Sequence, residues 1–240
     1  MSIPQNIYLG EIKLKLYERL KLSGWGDKLK MFILSDAFDT ILAQLLKEAR
    51  AGERFTPPLK KVFRAFEECP YSNLKVIMIG QDPYPYPDIA DGIAFSVSND
   101  AKFNPPSLKF MFKEIERTVY PLDGYTWDTD LARWSNQGVL MINTAFTTTI
   151  GKVGKHYDLW HGFIAFLLDT LASYNPGLIY VFMGKVAKEW SDLVPDTNHK
   201  LFTTHPASAA HTLKETWDSD DVFNKINNLS FKHYGQLITW

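Results

Sequence analysis

A single cysteine, Cys69, occurs in the 240 residues. That excludes a disulfide framework and a zinc centre built on thiolates. Charge of one sign is also missing: 26 Lys and Arg stand against 27 Asp and Glu, a formal net charge of -1. A protein that coats DNA through overall positive charge is thereby excluded, as is a polybasic membrane binder, although a local basic patch is not. Long hydrophobic runs are absent. Val76–Ile79, Val139–Ile142 and Phe163–Leu168 fall far short of the roughly 20 residues needed to cross a bilayer. Met1–Gly10 lacks a basic stretch followed by an apolar one, so no secretory signal is predicted and a cytoplasmic location, away from membranes, is expected. Walker loop, dinucleotide fingerprint and nucleophile elbow are all missing. His156 and His161 lack companions of ligand type, so no metal site is predicted.

What is present is enough for a sizeable core: 45% of residues are hydrophobic and 22% charged. With no repeat, low-complexity stretch or interdomain linker, one domain over residues 1–240 is expected, with residues 1–24 as an N-terminal extension or helix. Lys75–Ile79, Val139–Ile142, Leu178–Met183 and Lys200–Thr203 are of strand length, and the first three are continuously apolar. That is the pattern of strands buried on both faces of a parallel sheet. Between them run helical stripes: Phe38, Ile41, Leu42, Leu45, Leu46 and Ala49, with Gly52 as the stop; Leu108, Met111, Phe112, Ile115 and Val119, with Ser107 as N-cap; and Trp160, Phe163, Ile164, Leu167, Leu168 and Leu171. Alternating strands and helices predict a three-layer α/β/α sandwich around a central four-stranded, parallel, twisted sheet.

The segments after the strands carry the chemistry. They read Gly80-Gln81-Asp82-Pro83-Tyr84, Asn143-Thr144, Gly184-Lys185 and His205-Pro206. Ligands of open parallel sheets bind outside the carboxyl ends of the strands, so an acid, an amide, a glycine turn and a histidine converge on one edge. Each also has a plainer reading. Asp82 is in equal measure a turn residue, and a lone histidine such as His205 is more often structural. Asn143 could be satisfied by turn backbone instead of a ligand. Phe95, in Gly92-Ile93-Ala94-Phe95-Ser96-Val97, is by residue type a core side chain.

Taken together and in order, Gly80–Tyr84, Gly92–Val97, Pro105-Pro106-Ser107-Leu108, Ile142-Asn143-Thr144 and Thr204-His205-Pro206 resemble the motifs of family 1 uracil-DNA glycosylases. The likeness runs from Phe55–Phe66 to the closing Ile238-Thr239-Trp240, and the Gly-Gln-Asp-Pro-Tyr run is its most specific part. The resemblance implies a flipped-out deoxyuridine. Phe95 would stack on the uracil, Asn143 would read its polar edge and the backbone at Gln81 would help hold O2. Tyr84 would fill the space where thymine carries its methyl group. Asp82 would orient water and stabilise a cationic sugar, and a neutral His205 would donate to the charge developing on O2. No metal, nucleotide or other cofactor is implied. DNA backbone contacts would come from Pro105, Pro106, Ser107, Gly184, Lys185 and Ser208. Partners would be uracil-containing single- and double-stranded DNA and phage-encoded glycosylase inhibitor proteins, and the chain would be a monomer.

The chain departs from the pattern at three places. Pro85 stands where the family usually has histidine. The usual histidine loop of the family begins His-Pro-Ser-Pro-Leu-Ser. Here it reads His205-Pro206-Ala207-Ser208-Ala209-Ala210-His211, one residue shorter, and lacks the leucine that wedges into the space left by the flipped base. Leu213 is the nearest substitute. Gly184-Lys185 replaces a Gly-Ser pair. The first two changes resemble poxvirus members that double as polymerase processivity subunits, whereas Gln81 and the C-terminal pattern are of bacterial type. A divergent bacterial or phage-type member is therefore expected, initiating base-excision repair. The rival readings are a replication-accessory DNA-binding protein with weak catalysis and a glycosylase of broader specificity.

Overall fold

In the computed structural model, residues 5–98, 101–122, 124–212 and 215–240 are described. The strands are β1 (Phe55–Thr56), β2 (Val76–Gly80), β3 (Val139–Asn143), β4 (Thr148–Thr149), β5 (Ile179–Met183) and β6 (His199–Thr203). Four of them form one parallel sheet in the order β3-β2-β5-β6. Every residue of β2 and β5 is buried, so helices cover both faces and the three-layer expectation holds. β6 is the exception. Its residues are half-buried and Phe202 is exposed, which explains why its sequence is not continuously apolar.

Helices follow the apolar stripes. Ser35 caps Asp36–Arg50 by accepting from the Phe38 N–H, and Gly52 ends it in the left-handed region at φ +84°. The stripe from Trp160 to Leu171 lies on helix Tyr157–Tyr174 and is wholly buried. The N-cap expected at Ser107 is not there: the helix runs Pro106–Thr118 with Pro105 before it. Proline fits the first helical position because that N–H has no intrahelical partner and φ is already helical, so the start moves upstream and Ser107 falls inside the first turn.

The N-terminal segment folds as helix Gln5–Leu22, and its Leu9, Leu16 and Leu20 join the same buried cluster as the sheet. At the other end, Trp240 packs edge-on against Trp134 and Phe223, and the Thr239 N–H donates to Gln137 Oε1 at 2.8 Å. The first described helix and the closing residues are thus both tied into the core. A second, two-stranded sheet pairs β1 with β4 antiparallel, Phe55 opposite Thr149 and Thr56 opposite Thr148. It anchors the segment that follows β3, which bears on the site below. Among the described residues, no helix is long and apolar enough to cross a membrane.

Candidate active site

The carboxyl ends of β2, β3 and β6 surround a cavity of about 410 Å³. Gln81, Asp82, Tyr84, Phe95, Asn143 and His205 all line it, with Pro105, Pro106, Ser107 and Ser208. Gly184 and Lys185 do not line it. Lys185 is exposed and opens the short helix Lys185–Lys188, while Gly184, at φ +93°, packs behind the histidine, where a Cβ would lie 2.9 Å from His205 Cβ.

Gly80 and Asn143 are register partners at the ends of β2 and β3. A Cβ on Gly80 would sit 2.5 Å from Asn143 Oδ1 and 2.9 Å from Phe95 Cζ. Only glycine allows the amide and the ring to approach each other over the strand end. Phe95 is buried yet faces the cavity, and its backbone is left-handed at φ +66°. Such a conformation is costly for a residue with a Cβ and persists only where its surroundings impose it. They do so here. The Ala94 N–H donates to the Met141 carbonyl at 3.1 Å, and Asp91 accepts from the Ile93 N–H at 3.1 Å and from Ser96 Oγ at 2.8 Å. Arg64 in turn clamps Asp91 at 2.5 Å and both oxygens of Asp130 at 2.8 Å. Burial pushes the Asp91 carboxyl above its ordinary value, with Arg64, Ser96 and Ile93 opposing. Gly92, at φ +97°, leaves room for the Lys61 carbonyl, which a Cβ would overlap.

Tyr84 is held at its tip. Its hydroxyl donates to the Phe95 carbonyl at 2.9 Å and shares a hydrogen bond with Ser107 Oγ at 2.9 Å. Burial raises its pKa well above that of an ordinary tyrosine, so it stays a neutral wall. Ser107 is itself buried; its hydroxyl is committed to Tyr84, leaving backbone donors of the first helical turn for anything outside.

Asp82 is reached by a segment far away in sequence. Its Oδ2 accepts from the Gly154 N–H at 2.7 Å. Burial pushes the Asp82 carboxyl above its usual range, and the Gly154 bond opposes that shift. Gly154 is left-handed at φ +74°, and a Cβ there would meet the Tyr157 ring at 2.8 Å. Further along the site loop, Pro85 contributes its carbonyl, which accepts from the Gly151 N–H at 2.8 Å. Behind this segment lies a buried network. His156 Nε2 meets Glu48 Oε2 at 2.9 Å, His156 Nδ1 meets Thr147 Oγ1 at 2.8 Å, and the Trp160 Nε1–H donates to Thr147 Oγ1 at 2.7 Å. Burial pushes Glu48 up, but Gln44, His156 and Thr149 more than offset it, so its pKa is lowered. Among the described residues, no group of three or more metal-binding side chains is found.

His205 follows β6, where the Trp217 Nε1–H anchors the chain by donating to the Thr204 carbonyl at 3.1 Å. The Ala207 N–H donates to His205 Nδ1 at 3.2 Å. In the neutral ring the proton is then on Nε2, which makes that nitrogen a donor. The imidazole lies 5.6 Å from the Phe95 ring, centroid to centroid. The arrangement places a flat apolar surface, an amide, an imidazole and a half-buried carboxyl group around one small cavity. Leu213 lies outside the described residues.

Gly154, Gly151, Thr147, His156 and Glu48 do not stand out as site residues in the sequence. The one signal available is the pair of glycines, Gly151 and Gly154, in the segment after β3, which marks tight backbone but not its partner.

The chain is similar to known proteins over most of its length. The family model of the uracil DNA glycosylase superfamily matches residues 66–229. Uracil-DNA glycosylase 1 of Listeria monocytogenes is 33% identical over 204 residues, which are 83% of this chain and 89% of the relative. The crystal structure of mimivirus uracil-DNA glycosylase superposes with a TM-score of 0.78 at 26% identity, covering 92% of this chain and 88% of that one. A mimivirus UNG variant in complex with UGI gives 0.79 at 25%, covering 90% and 87%. The chain belongs to the uracil-DNA glycosylase superfamily, as a divergent member of its family 1.

Proposed function

We propose that this chain excises uracil from DNA with Asp82 and His205 as its catalytic residues and Gln81, Tyr84, Phe95 and Asn143 as its uracil site. As a uracil-DNA glycosylase it is a hydrolase of N-glycosyl bonds that initiates repair. The observation that supports the residue roles is the convergence of all six residues on one cavity.

A deoxyuridine rotated out of the stack enters the cavity, since the bond to be cut is out of reach within a helix. Phe95 lies against the base and Asn143 takes its polar edge. Tyr84, fixed by Ser107 and the Phe95 carbonyl, occupies the space a thymine methyl would need, which rejects the wrong base by collision. As the N1–C1′ bond breaks, its electron pair stays with the uracil and positive charge develops on the sugar. The half-buried Asp82 carboxylate stabilises that cation and orients a water. The water oxygen bonds to C1′, and a proton leaves through Asp82 to solvent. His205 Nε2–H donates to uracil O2, where the negative charge collects, and needs no proton of its own to be lost. The uracil anion takes up a proton from solvent, and the products are uracil and an abasic site with a hydroxyl at C1′.

The DNA backbone is held by the loop edges at Pro105, Pro106, Ser107 and Ser208, with Gly184 and Lys185 further out. Residues 1–240 act as one domain, a cytoplasmic monomer, and an inhibitor of the UGI type is a further partner. The deciding experiment is incubation with an oligonucleotide carrying one uracil, with EDTA present and thymine and cytosine controls alongside. Alkali-labile cleavage at uracil alone is expected. DNA binding without cleavage would replace this reading by an accessory protein.

A further inference from the structure

We propose that Tyr86 and Phe103 form a stacking subsite for a DNA base next to the flipped nucleotide. Tyr86 lines the mouth of the cavity yet is 46% exposed, and Phe103 is 43% exposed. Their rings meet edge to face, with centroids 5.3 Å apart at 79°. Both belong to the site's own loops. Tyr86 lies two residues after Tyr84, and Phe103 lies two residues before Pro105. Large apolar side chains clustered in solvent beside a cavity mark a contact surface and not a packing solution. The occupant is set by continuity with the cavity. A strand whose deoxyuridine is inside must pass over this rim, and its next base has lost a stacking neighbour. An aromatic face replaces that neighbour whatever the base is. The exposed Lys102 beside Phe103 suits the intervening phosphate. The subsite also supplies, at the cavity mouth, an apolar contact that the missing wedge leucine does not. The proposal rests on uracil entering this cavity.

The test is a cycle between protein and DNA. Wild type, Tyr86→Ala, Phe103→Ala, the double variant and Tyr86→Phe are assayed on a single-stranded oligonucleotide with one uracil. The same strand with an abasic residue at either flanking position is the second substrate. Loss of the aromatic pair should raise KM about 5- to 100-fold with kcat retained, and Tyr86→Phe should behave as wild type. On one of the abasic-flanked strands the wild type should fall to the level of the double variant, which loses nothing more. Equal KM values for wild type and double variant, or the same loss on every strand, would overturn the subsite. Fluorescence anisotropy in an Asp82→Asn background gives the same cycle as Kd ratios without turnover. Absent cleavage by the wild type would therefore reject the glycosylase reading, while the Kd cycle still decides the subsite.

Discussion

The Asp82 carboxylate accepts a hydrogen bond from the Gly154 N–H at 2.7 Å, across 72 residues of sequence. One oxygen is thereby fixed on a residue that lines the cavity. The carboxyl is buried enough that its pKa is raised in spite of that bond. A charge kept in poor solvation gains more when a cation appears beside it, which is what bond cleavage supplies.

Asp82→Asn should therefore lower kcat by about 10²- to 10⁴-fold with little change in KM, as read by single-turnover cleavage. The sign of the stability effect is opposite. A carboxyl whose folded pKa is raised contributes its stability below the unfolded value and loses it as pH rises through the folded one. At neutral pH Asp82 is thus a cost to the fold, and the amide should melt at higher temperature than wild type. The wild-type rate should also fall on the acid side at a pH above that of an ordinary aspartate. A variant that melts lower, with its rate intact, would remove Asp82 from this role.

Gly80→Ala should abolish the uracil site while leaving the sheet intact. Its Cβ would sit 2.5 Å from Asn143 Oδ1 and 2.9 Å from Phe95 Cζ, so the amide and ring must separate. We expect kcat/KM to drop by at least about 10²-fold, the scale of an ångström-sized misplacement, with unchanged circular dichroism.

Much of this architecture is legible in the sequence, for a physical reason. Continuous apolar runs report burial on both faces, so β2, β3 and β5 stand out; β3 and β5 differ from expectation by one residue at one end and β2 by one residue at each end. Gln81, Asp82, Tyr84, Asn143 and His205 are legible as cavity residues because they lie at or just after strand ends of a parallel sheet. Phe95, fifteen residues beyond β2, instead reads as core by residue type and is singled out only by the resemblance. Contacts made by loops leave no such trace. Nothing periodic in the segment from Thr147 to Tyr157 says that Gly154 reaches Asp82 or that His156 meets Glu48, 108 residues away. Ser107 shows the local limit: serine before an apolar stripe reads as a cap, but Pro106 starts the helix first and frees the hydroxyl for Tyr84.

Tyr84 separates bulk from hydrogen bonding. Tyr84→Ala opens the space beside uracil C5 and should admit thymine in single-stranded DNA. Tyr84→Phe keeps the ring but loses its bonds to Ser107 and the Phe95 carbonyl. It should still reject thymine while costing about 1 kcal/mol of stability, seen as a lower denaturant midpoint. Thymine release by the phenylalanine variant would mean that the hydroxyl, and not the ring, sets specificity.

His156→Ala should be among the most damaging changes outside the cavity. It removes the 2.9 Å contact to the Glu48 carboxylate, which keeps Gln44 and Thr149, and losing one hydrogen bond to a buried charged group costs about 1–3 kcal/mol. Because the same segment carries Gly154, kcat should fall as well, even where the variant is fully folded. Glu48→Gln should restore part of the stability to His156→Ala, since it removes a buried charge that has lost one of its hydrogen bonds. Glu48 itself has a lowered pKa, so the stability it contributes is present above the unfolded value and is lost as pH falls through the folded one.

The histidine loop predicts a preference between substrates. Opening a duplex to flip one base costs a few kcal/mol, and a wedging side chain recovers part of it by filling the gap. Helix Ala207–His211 carries alanine at 207, 209 and 210 and serine at 208, side chains too short to reach between base pairs. Single-stranded substrate escapes the cost altogether, so kcat/KM should favour it over duplex by at least about tenfold, which is 1.4 kcal/mol. Placing the uracil opposite guanine in a duplex, then in a mismatched bubble, should raise the rate stepwise toward the single-stranded value as pairing is removed. Equal rates on all three would mean that flipping is already assisted. Leu213→Ala would then identify the wedge if it slowed the duplex alone.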